Sequence, residues 1–363
     1  MADIILAAGG TGGHIFPALA VAETLQAHGH RVILFTDERG APMAEGKISY
    51  RLISSASPFK AGLLAKLSGL ASLSFGFAQS ILAMVMRRPA CVIGFGGYPS
   101  LAPILAGRLM RARCILHEQN AVMGRANRLL GKWAHHVALS FAVTKGAPAG
   151  PNTHITGLPV REAFTKIARY QDDNKAMTIT VIGGSLGAQI FADVIPQAIA
   201  LLPDDIKANL TITQQARDEH IASLKAHYHS LGITADVARF FHDVASLYEA
   251  SDIIISRSGA SSVQEIATAG RASLLIPFAG ALDDHQTGNA MRLVEAGGAM
   301  MISEAQADAK LVANQLKALI TDHDKRHAMA QAAQSIAIAS ASQTIASLTG
   351  LVPTSDMTKG AAQ

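Results

Sequence analysis

Three polar clusters interrupt a chain that is 49% hydrophobic and 16% charged. The first is Gly9-Gly10-Thr11-Gly12-Gly13-His14 and the second His117-Glu118-Gln119-Asn120. The third gathers Ser258, Ser261, Ser262 and Glu265 with Asp283, Asp284, His285, Gln286 and Asn289. Glycines that open a helix let backbone N–H groups approach an anion closely, and the helix dipole adds about 0.3 to 1 kcal/mol. Two more such turns, Gly96-Gly97-Tyr98-Pro99-Ser100 and Gly183-Gly184-Ser185-Leu186-Gly187-Ala188, make three in one chain and argue for diphosphate chemistry. Taken singly, each also fits an ordinary tight connection between strand and helix.

His14 closes the first turn at a helix N-terminus, where the dipole disfavours the imidazolium. A neutral ring that accepts a proton is one reading; a ring that only packs or hydrogen-bonds at the turn is the other. Ser262-x-x-Glu265 has the spacing of a capping box that closes a helix start. The same spacing also suits a carboxylate accepting two hydrogen bonds from a vicinal diol such as a ribose, beside a helix end that favours phosphate. The cluster His117 to Asn120 follows an apolar strand at its carboxyl end, a place where sites gather in α/β proteins.

Several chemistries find little support. Gly10-Thr11-Gly12 after a strand, with Asp37 ending the next strand, resembles a dinucleotide fingerprint, but Ile15 stands at its third glycine. No Gly-Lys-Ser/Thr follows any glycine turn, so a Walker loop is absent. No metal site is expected: His135-His136 are adjacent and face different directions, Asp283-Asp284 reads as a solvated loop pair, and zinc-type spacing is missing. Aromatic residues are 5% of the chain and no nucleic-acid recognition motif appears.

The elements that position these residues alternate strand and helix. Asp3 to Ala8 runs into the first glycine turn, Ile15 to His28 is helical, and Arg31 to Thr36 is the next strand. Met177 to Ile182, the Gly183 turn, a helix from Ile190 to Leu202 and Leu210 to Gln214 repeat that opening. Cys91 to Phe95 with Cys114 to His117, and the two apolar runs around Ile255 and Ile276, each form a further parallel βαβ unit. An α/β chain with two doubly wound, Rossmann-like domains and an interdomain cleft is therefore expected, with the chemistry beyond the carboxyl ends of the strands. Lys145 to Pro159, rich in Gly, Pro, Asn and Thr, reads as the linker; helices are expected over Gln306 to Ile320 and, in one long Ala-rich segment, over Asp322 to Leu348.

At 363 residues two cores are expected. Cys91 and Cys114 lie in apolar runs and read as buried thiols of a reducing compartment, and MADIILAAGG carries no basic leader, so a cytoplasmic location is expected. The net charge of +4 is unevenly spread. From Lys60 to Lys132 there are ten basic residues against Glu118 alone, which gives +9 there and −5 elsewhere. That half should meet an anionic partner. It also holds the uncharged run Leu67 to Met86, whose four serines, two glycines and Gln79 favour a crossover helix with an apolar, base-flanked edge over a bilayer span.

Read in order, the motifs GGTGGHIFPA (9–18), GFGGYPS (94–100), HEQNAVMGRAN (117–127), GLPVR (157–161), GGSLGA (183–188), SRSGA (256–260) and DDHQ with Asn289 resemble the MurG family of bacterial peptidoglycan glycosyltransferases over nearly the whole chain. The resemblance implies a GT-B fold. It implies residues 1–158 as an acceptor and membrane-associating domain and 159–335 as a UDP-N-acetylglucosamine domain. Residues 336–363 would be a C-terminal helix packing back on the first domain, plus a tail. The implied reaction moves N-acetylglucosamine onto lipid I to give lipid II, without a cofactor or metal. Carried over residue by residue, donor contacts fall on Thr11, Gly12, Gly13, Asn120, Arg161, Ser185, Phe241, Ala260, Ser261, Ser262, Val263, Gln264, Glu265 and Gln286. Among these Glu265 would hold the ribose, Gln286 would read the sugar, and Arg161 and Ser185 would lie near the diphosphate. The acceptor diphosphate would face Gly12, Gly13, Gly96, Gly97 and Tyr98, and His14 would take the proton, assisted through His117 or Glu118.

The implied partners are UDP-N-acetylglucosamine, lipid I, the cytoplasmic face of an anionic inner membrane and other cell-wall synthesis proteins, with no nucleic acid. The chain departs from the family at Ser261-Ser262, where Leu-Thr is frequent, at Thr213-Gln214-Gln215-Ala216, where His-Gln-Thr/Ser-Gly is common, and at Phe241, often isoleucine. The alternatives are another GT-B sugar-nucleotide enzyme, such as a UDP-N-acetylglucosamine 2-epimerase or a transferase with a soluble acceptor, and, from a different class, a dinucleotide-dependent oxidoreductase or a non-catalytic nucleotide-binding protein.

Overall fold

The computed structural model describes residues 1–56, 62–171, 176–184 and 187–353. Lys60 and Ser185 lie outside them. The chain divides into two compact units, Met1–Arg161 with Ile338–Gln363, and Glu162–Ala337.

The first unit is built on seven parallel strands: β1 Asp3–Ala7, β2 Arg31–Thr36, β3 Tyr50–Leu52, β4 Cys91–Gly94, β5 Arg113–Glu118, β6 His136–Leu139 and β7 Thr153–Ile155. Their order is β3-β2-β1-β4-β5-β6-β7. Strands buried on both faces need side chains that are apolar on both, which is why β1, β4 and β5 read as near-continuous apolar runs. Because β1 pairs with β4 at Ala7↔Gly94, the Gly9 and Gly96 turns leave neighbouring strands at the same sheet edge. That edge is the point where the strand order reverses, the usual ligand position in such sheets. Ile15, which spoils the dinucleotide fingerprint, is fully buried with Leu6, Val21 and Phe95, so its role is to anchor the helix Gly12–Ala27 on the sheet.

The second unit repeats the plan with β8 Met177–Ile182, β9 Leu210–Gln215, β10 Thr234–Ala238, β11 Ile253–Ser256, β12 Ala272–Leu275 and β13 Ala299–Met301, in the order β10-β9-β8-β11-β12-β13. Here β8 pairs with β11 at Ile182↔Ser256, again bringing two turns together at the reversal point. The expected pair of doubly wound sheets is what the chain forms.

Three local expectations are corrected. The segment Lys145 to Pro159 is not all linker, since 153–155 form β7, the edge strand of the first sheet. The long C-terminal helix is two helices, His323–Ser335 and Ala341–Ser347. The intervening Ile338 packs against Gly157, where a Cβ would sit 2.7 Å from its own, so close tertiary packing breaks the helix where no Pro or Gly does. Helix Ala341–Ser347 then places Ile345 and Ala346 in the first unit's core beside Leu25 and Ile4. Ser262 does not cap the helix its spacing suggests, because Gly259 holds the cap position of Ala260–Ala269.

The crossover helix Leu63–Arg87 packs one face on the sheet, with Ala83 and Met84 beside Val92 and Ile104. Ser54 O lies so close to Gly76 that any side chain there would collide with it. The opposite face is apolar and open: Leu70 is 59% exposed, Phe75 61% and Met86 80%. By length and composition alone the helix could cross a membrane, and 28% of its most apolar window is buried. Cys91 and Cys114 are buried, and burial raises both thiols above their usual range.

Candidate functional site

In the first unit the glycine turn is closed by Asp37, at the end of β2. Its Oδ1 accepts from the N–H of Gly10 at 2.9 Å and of Gly40 at 3.1 Å, while Oδ2 accepts from Nε and Nη2 of Arg39 at 2.9 and 2.7 Å. Both oxygens are thus committed to the fold. A ribose-reading carboxylate needs free oxygens, so the dinucleotide reading loses its second support. Gly9 has no room for a side chain, since a Cβ would meet Pro99 Cγ at 2.6 Å and Asp37 Oδ1 at 2.7 Å.

The ring of His14 lies over the second glycine turn. A Cβ on Gly96 would sit 3.3 Å from His14 Cε1 and 3.4 Å from Nδ1, and one on Gly97 3.6 Å from Cδ2. Both glycines have positive φ, +81° and +71°, which favours glycine independently of the contact. Gln119 frames the same place: its Nε2 donates to the Phe95 carbonyl at 2.6 Å, and its Oε1 lies 3.3 Å from the Gly96 Cβ position. His14 and the Gly96-Gly97 turn, 82 positions apart by number, therefore form one surface.

His117 is fully buried at the end of β5. Its Nε2 donates to the Gly157 carbonyl at 3.1 Å, which fixes Nδ1 as the unprotonated nitrogen. Burial drives its pKa down to about 4; the Gly157 carbonyl opposes that and nearby His14 adds to it, so the ring is neutral at pH 7. Glu118 is saturated. Oε1 accepts from the Asn120 N–H at 3.0 Å and its Nδ2 at 3.3 Å, and Oε2 from the Gly124 N–H at 2.9 Å and Asn127 Nδ2 at 2.8 Å. A carboxylate with four donors organises the loop from Gln119 to Gly124. Thr11 is the N-cap of Gly12–Ala27, and Tyr98 opens the short turn Tyr98–Ser100. Arg161 falls in this unit, its guanidinium 5.2 Å from the Phe16 ring centroid.

In the second unit the corresponding turn is closed by Gln215, at the end of β9, whose Oε1 accepts from the Gly183 N–H at 3.2 Å. The adjacent turn leads into helix Ala260–Ala269, whose N-cap is Gly259. Ser262 is thus the third residue of the helix, not its cap, and the capping-box reading is overturned: Gly259, one step after Ser258, takes the extended cap conformation. Ser261, Gln264 and Glu265 share one face of this helix. Ser261 Oγ and Gln264 Nε2 are buried without a hydrogen-bond partner among the described residues, and buried polar atoms of that kind call for a ligand or water. Val263 and Ala260 are buried in its packing, and Phe241 is half-buried in the segment after β10.

Gln286 stands in the first turn of helix His285–Glu295. Ser258 Oγ donates to its carbonyl at 2.8 Å, and Asn289 Nδ2 donates to the Ser258 carbonyl at 3.1 Å, which ties the two turns together. Asp283 and Asp284 are exposed and adopt positive φ, +54° and +50°. Among the described residues no three His, Cys, Asp or Glu side chains are placed to hold one metal ion. The sequence does not single out Asn127, Arg39, Arg257 or Glu304; for Arg257 the signal is a lone charge at the end of the apolar run Asp252 to Ser256.

Two doubly wound sheets, each with paired turns at its reversal point, define the class. The glycosyltransferase family 28 N-terminal domain matches residues 4–139 and the family's C-terminal domain residues 178–345. The chain belongs to glycosyltransferase family 28 and has the GT-B fold. Relatives named UDP-N-acetylglucosamine--N-acetylmuramyl-(pentapeptide) pyrophosphoryl-undecaprenol N-acetylglucosamine transferase are similar over most of its length. One from Granulibacter bethesdensis is 41% identical over 334 residues, 88% of this chain and 85% of the relative. Another from Rhodospirillum centenum is 40% identical over 330 residues, 89% and 87%. The crystal structure of Acinetobacter baumannii MurG superposes with a TM-score of 0.80 at 29% identity, covering 96% of this chain and 99% of that one. Within family 28, the chain belongs to the MurG family of N-acetylglucosaminyltransferases. A UDP-GlcNAc 2-epimerase from Neisseria meningitidis superposes with a TM-score of 0.67 at 13% identity, a likeness of fold alone.

Proposed function

We infer that the chain transfers N-acetylglucosamine from UDP-N-acetylglucosamine, with inversion, to the muramyl 4-hydroxyl of lipid I, giving lipid II. The observation that supports this most strongly is the 41% identity over 334 residues to a transferase named for that reaction. The epimerase alternative rests on fold likeness at 13% identity and is not favoured.

In the mechanism we assign, the acceptor hydroxyl oxygen attacks the anomeric carbon, the bond from that carbon to the UDP oxygen breaks, and His14 takes the hydroxyl proton. The dipole of Gly12–Ala27 disfavours the imidazolium form of His14 and so favours the neutral ring that accepts it. His117 is fixed in one tautomer by the Gly157 carbonyl, and Glu118, already holding four donors, shapes the loop that carries Asn120. In this reading Gly12, Gly13, Gly96, Gly97 and Tyr98 face the acceptor diphosphate; Thr11 caps the helix Gly12–Ala27, and the Arg161 guanidinium lies 5.2 Å from the ring centroid of Phe16 on that helix. On the donor side, Ala260 to Glu265 receive the nucleotide. The unpartnered Ser261 Oγ and Gln264 Nε2 support that reading; Glu265 takes the ribose hydroxyls and Gln286 the sugar. Ser185 and Phe241 complete the donor assignment.

The exposed apolar face of Leu63–Arg87, together with Leu109, 67% exposed, Trp133, 46% exposed, and the basic residues Arg108, Arg128 and Lys132 of the same unit, fits peripheral attachment to an anionic membrane surface. Association with vesicles containing anionic lipid is expected to fall steeply between 0.05 and about 0.5 M salt, as screening shortens the reach of these charges. Salt-independent binding to zwitterionic vesicles would sink the electrostatic part of this reading. The direct test of function is transfer of labelled N-acetylglucosamine to lipid I or a short-chain analogue, with and without EDTA. If label stays in UDP-N-acetylglucosamine while UDP still binds, the acceptor assignment fails.

A further inference from the structure

A half-buried ion pair that the mechanism does not use lies behind the proposed sugar-reading end of the second unit. Arg257, 8% exposed, leaves the end of β11 with its guanidinium 5.4 Å from the Phe191 ring centroid and 5.3 Å from that of Phe278. Nη1 donates to the carbonyls of Ile276 and Pro277, each at 3.1 Å. Nη2 donates to Glu304 Oε1 at 2.6 Å, and Glu304 Oε2 accepts from the Ala279 N–H at 2.6 Å. One ion pair thus grips the Pro277–Ala279 turn by its carbonyls and by its N–H. Burial works against the Glu304 carboxylate, yet the hydrogen bonds from Arg257 and Ala279 hold its carboxyl below the usual range.

The middle of that turn touches Gln286. The Phe278 N–H donates to Gln286 Oε1 at 3.0 Å. A backbone N–H can only donate, so the atom facing it must be the amide oxygen, and the Nε2 end is the one left without a partner among the described residues.

We propose that Arg257 and Glu304 are positioning residues for donor-sugar specificity: through the Pro277–Ala279 turn they hold Gln286 so that it meets the sugar with its N–H2 group and never with its carbonyl. The idea rests on the donor assignment made above. An N–H2 group fixed this way recognises lone pairs of a sugar hydroxyl in one place only. Arg257 is buried and must be desolvated to form the pair, which makes the pair weak as a source of stability and suits a role in geometry.

The experiment compares Glu304→Gln, Arg257→Lys and Gln286→Glu in the full chain. The last keeps an oxygen for the Phe278 N–H and removes the donor. The readouts are UDP affinity by calorimetry, KM and kcat for UDP-N-acetylglucosamine, and the kcat/KM preference for it over its C4 epimer, UDP-N-acetylgalactosamine. All three variants are expected to lose that preference by roughly tenfold, the scale of one oriented hydrogen bond. Glu304→Gln and Arg257→Lys should bind UDP within about twofold of the unaltered chain, since a pocket that still folds keeps its nucleotide contacts. Adding Glu304→Gln to Gln286→Glu should cost nothing more, because both act on one contact. Unchanged preference in Glu304→Gln and Arg257→Lys, with loss in Gln286→Glu, overturns the positioning role and leaves the donor reading standing. Unchanged preference in Gln286→Glu overturns the donor reading, and the proposal with it. If Arg257→Lys does not fold, Glu304→Gln alone decides between the first two outcomes.

Discussion

In the first unit the Gly10 N–H is held by Asp37 at the end of β2; in the second the Gly183 N–H is held by Gln215 at the end of β9. The place in the topology is the same and the chemistry is not. A carboxylate closes its turn with a stronger, charge-assisted bond, but it brings a negative charge to the mouth of a helix, where an anion is meant to sit. Arg39 answers that charge with two bonds to Oδ2, its side chain 67% exposed. An amide brings no charge, so the field at the start of helix Gln189–Ala200 is left undiminished. The first unit therefore gives up some attraction for anions to hold its glycine turn firmly, and the second keeps a turn whose helix field is undiminished, which suits the donor diphosphate proposed for it.

If chemistry belongs to the first unit and donor retention to the second, the largest effect should come from His14→Ala. A drop in kcat of about 10²- to 10⁴-fold is expected, with donor KM changed by less than about twofold. Steady-state kinetics with varied UDP-N-acetylglucosamine measures both. Equal losses in kcat and donor affinity would erase the division of labour.

The next effect separates the units by pH. His117, in the first unit, has a folded-state pKa of about 4 against an ordinary 6.5, so the unfolded chain takes up a proton more readily than the folded one. The stability associated with its neutral ring is therefore full above about pH 6.5 and is lost as pH falls from there towards 4, by up to about 3 kcal/mol. Urea midpoints taken from pH 7.5 downward should show this acid branch. His117→Gln, which keeps a donor for the Gly157 carbonyl, should flatten it. An acid branch of the same depth in the variant would mean that other groups carry it.

How much of this the sequence discloses depends on distance along the chain. Parallel strands covered on both faces announce themselves as apolar runs, and glycines at their ends mark the turns, so β1, β4, β8 and β11 and the clusters after them are legible. Side-chain pairings across long separations are not: Arg257 meets Glu304 47 residues on, and nothing near either predicts it. Local rules also mislead where a neighbour competes. Ser262 and Glu265 have capping spacing, but Gly259 caps the helix. The Ala-rich periodicity continues through 336–340, yet the chain breaks there, where Ile338 is pressed on Gly157.

The smallest effect tests the difference between Asp37 and Gln215 most directly. Removing the closing side chain should cost more in the first unit than in the second. Asp37→Ala leaves the Gly10 N–H and Arg39 without their acceptor and the Gly40 N–H with the residue 37 carbonyl alone, and bonds to a charged group are worth about 1.5 to 3 kcal/mol against about 0.5 to 1.5 for neutral ones. Gln215→Ala frees one N–H, that of Gly183, and the Arg239 carbonyl that Gln215 Nε2 serves at 3.2 Å. Hydrogen exchange should report a larger loss of protection at Gly10 in the first variant than at Gly183 in the second. Asp37→Asn sharpens the point: it keeps an oxygen for the Gly10 N–H, removes the charge and releases Arg39. Tighter binding of the acceptor diphosphate in that variant, with lower stability, is what a carboxylate traded against anion attraction predicts. Weaker binding would mean that Arg39 needs Asp37 to hold it for the ligand, and that the first turn, like the second, is built around its anion.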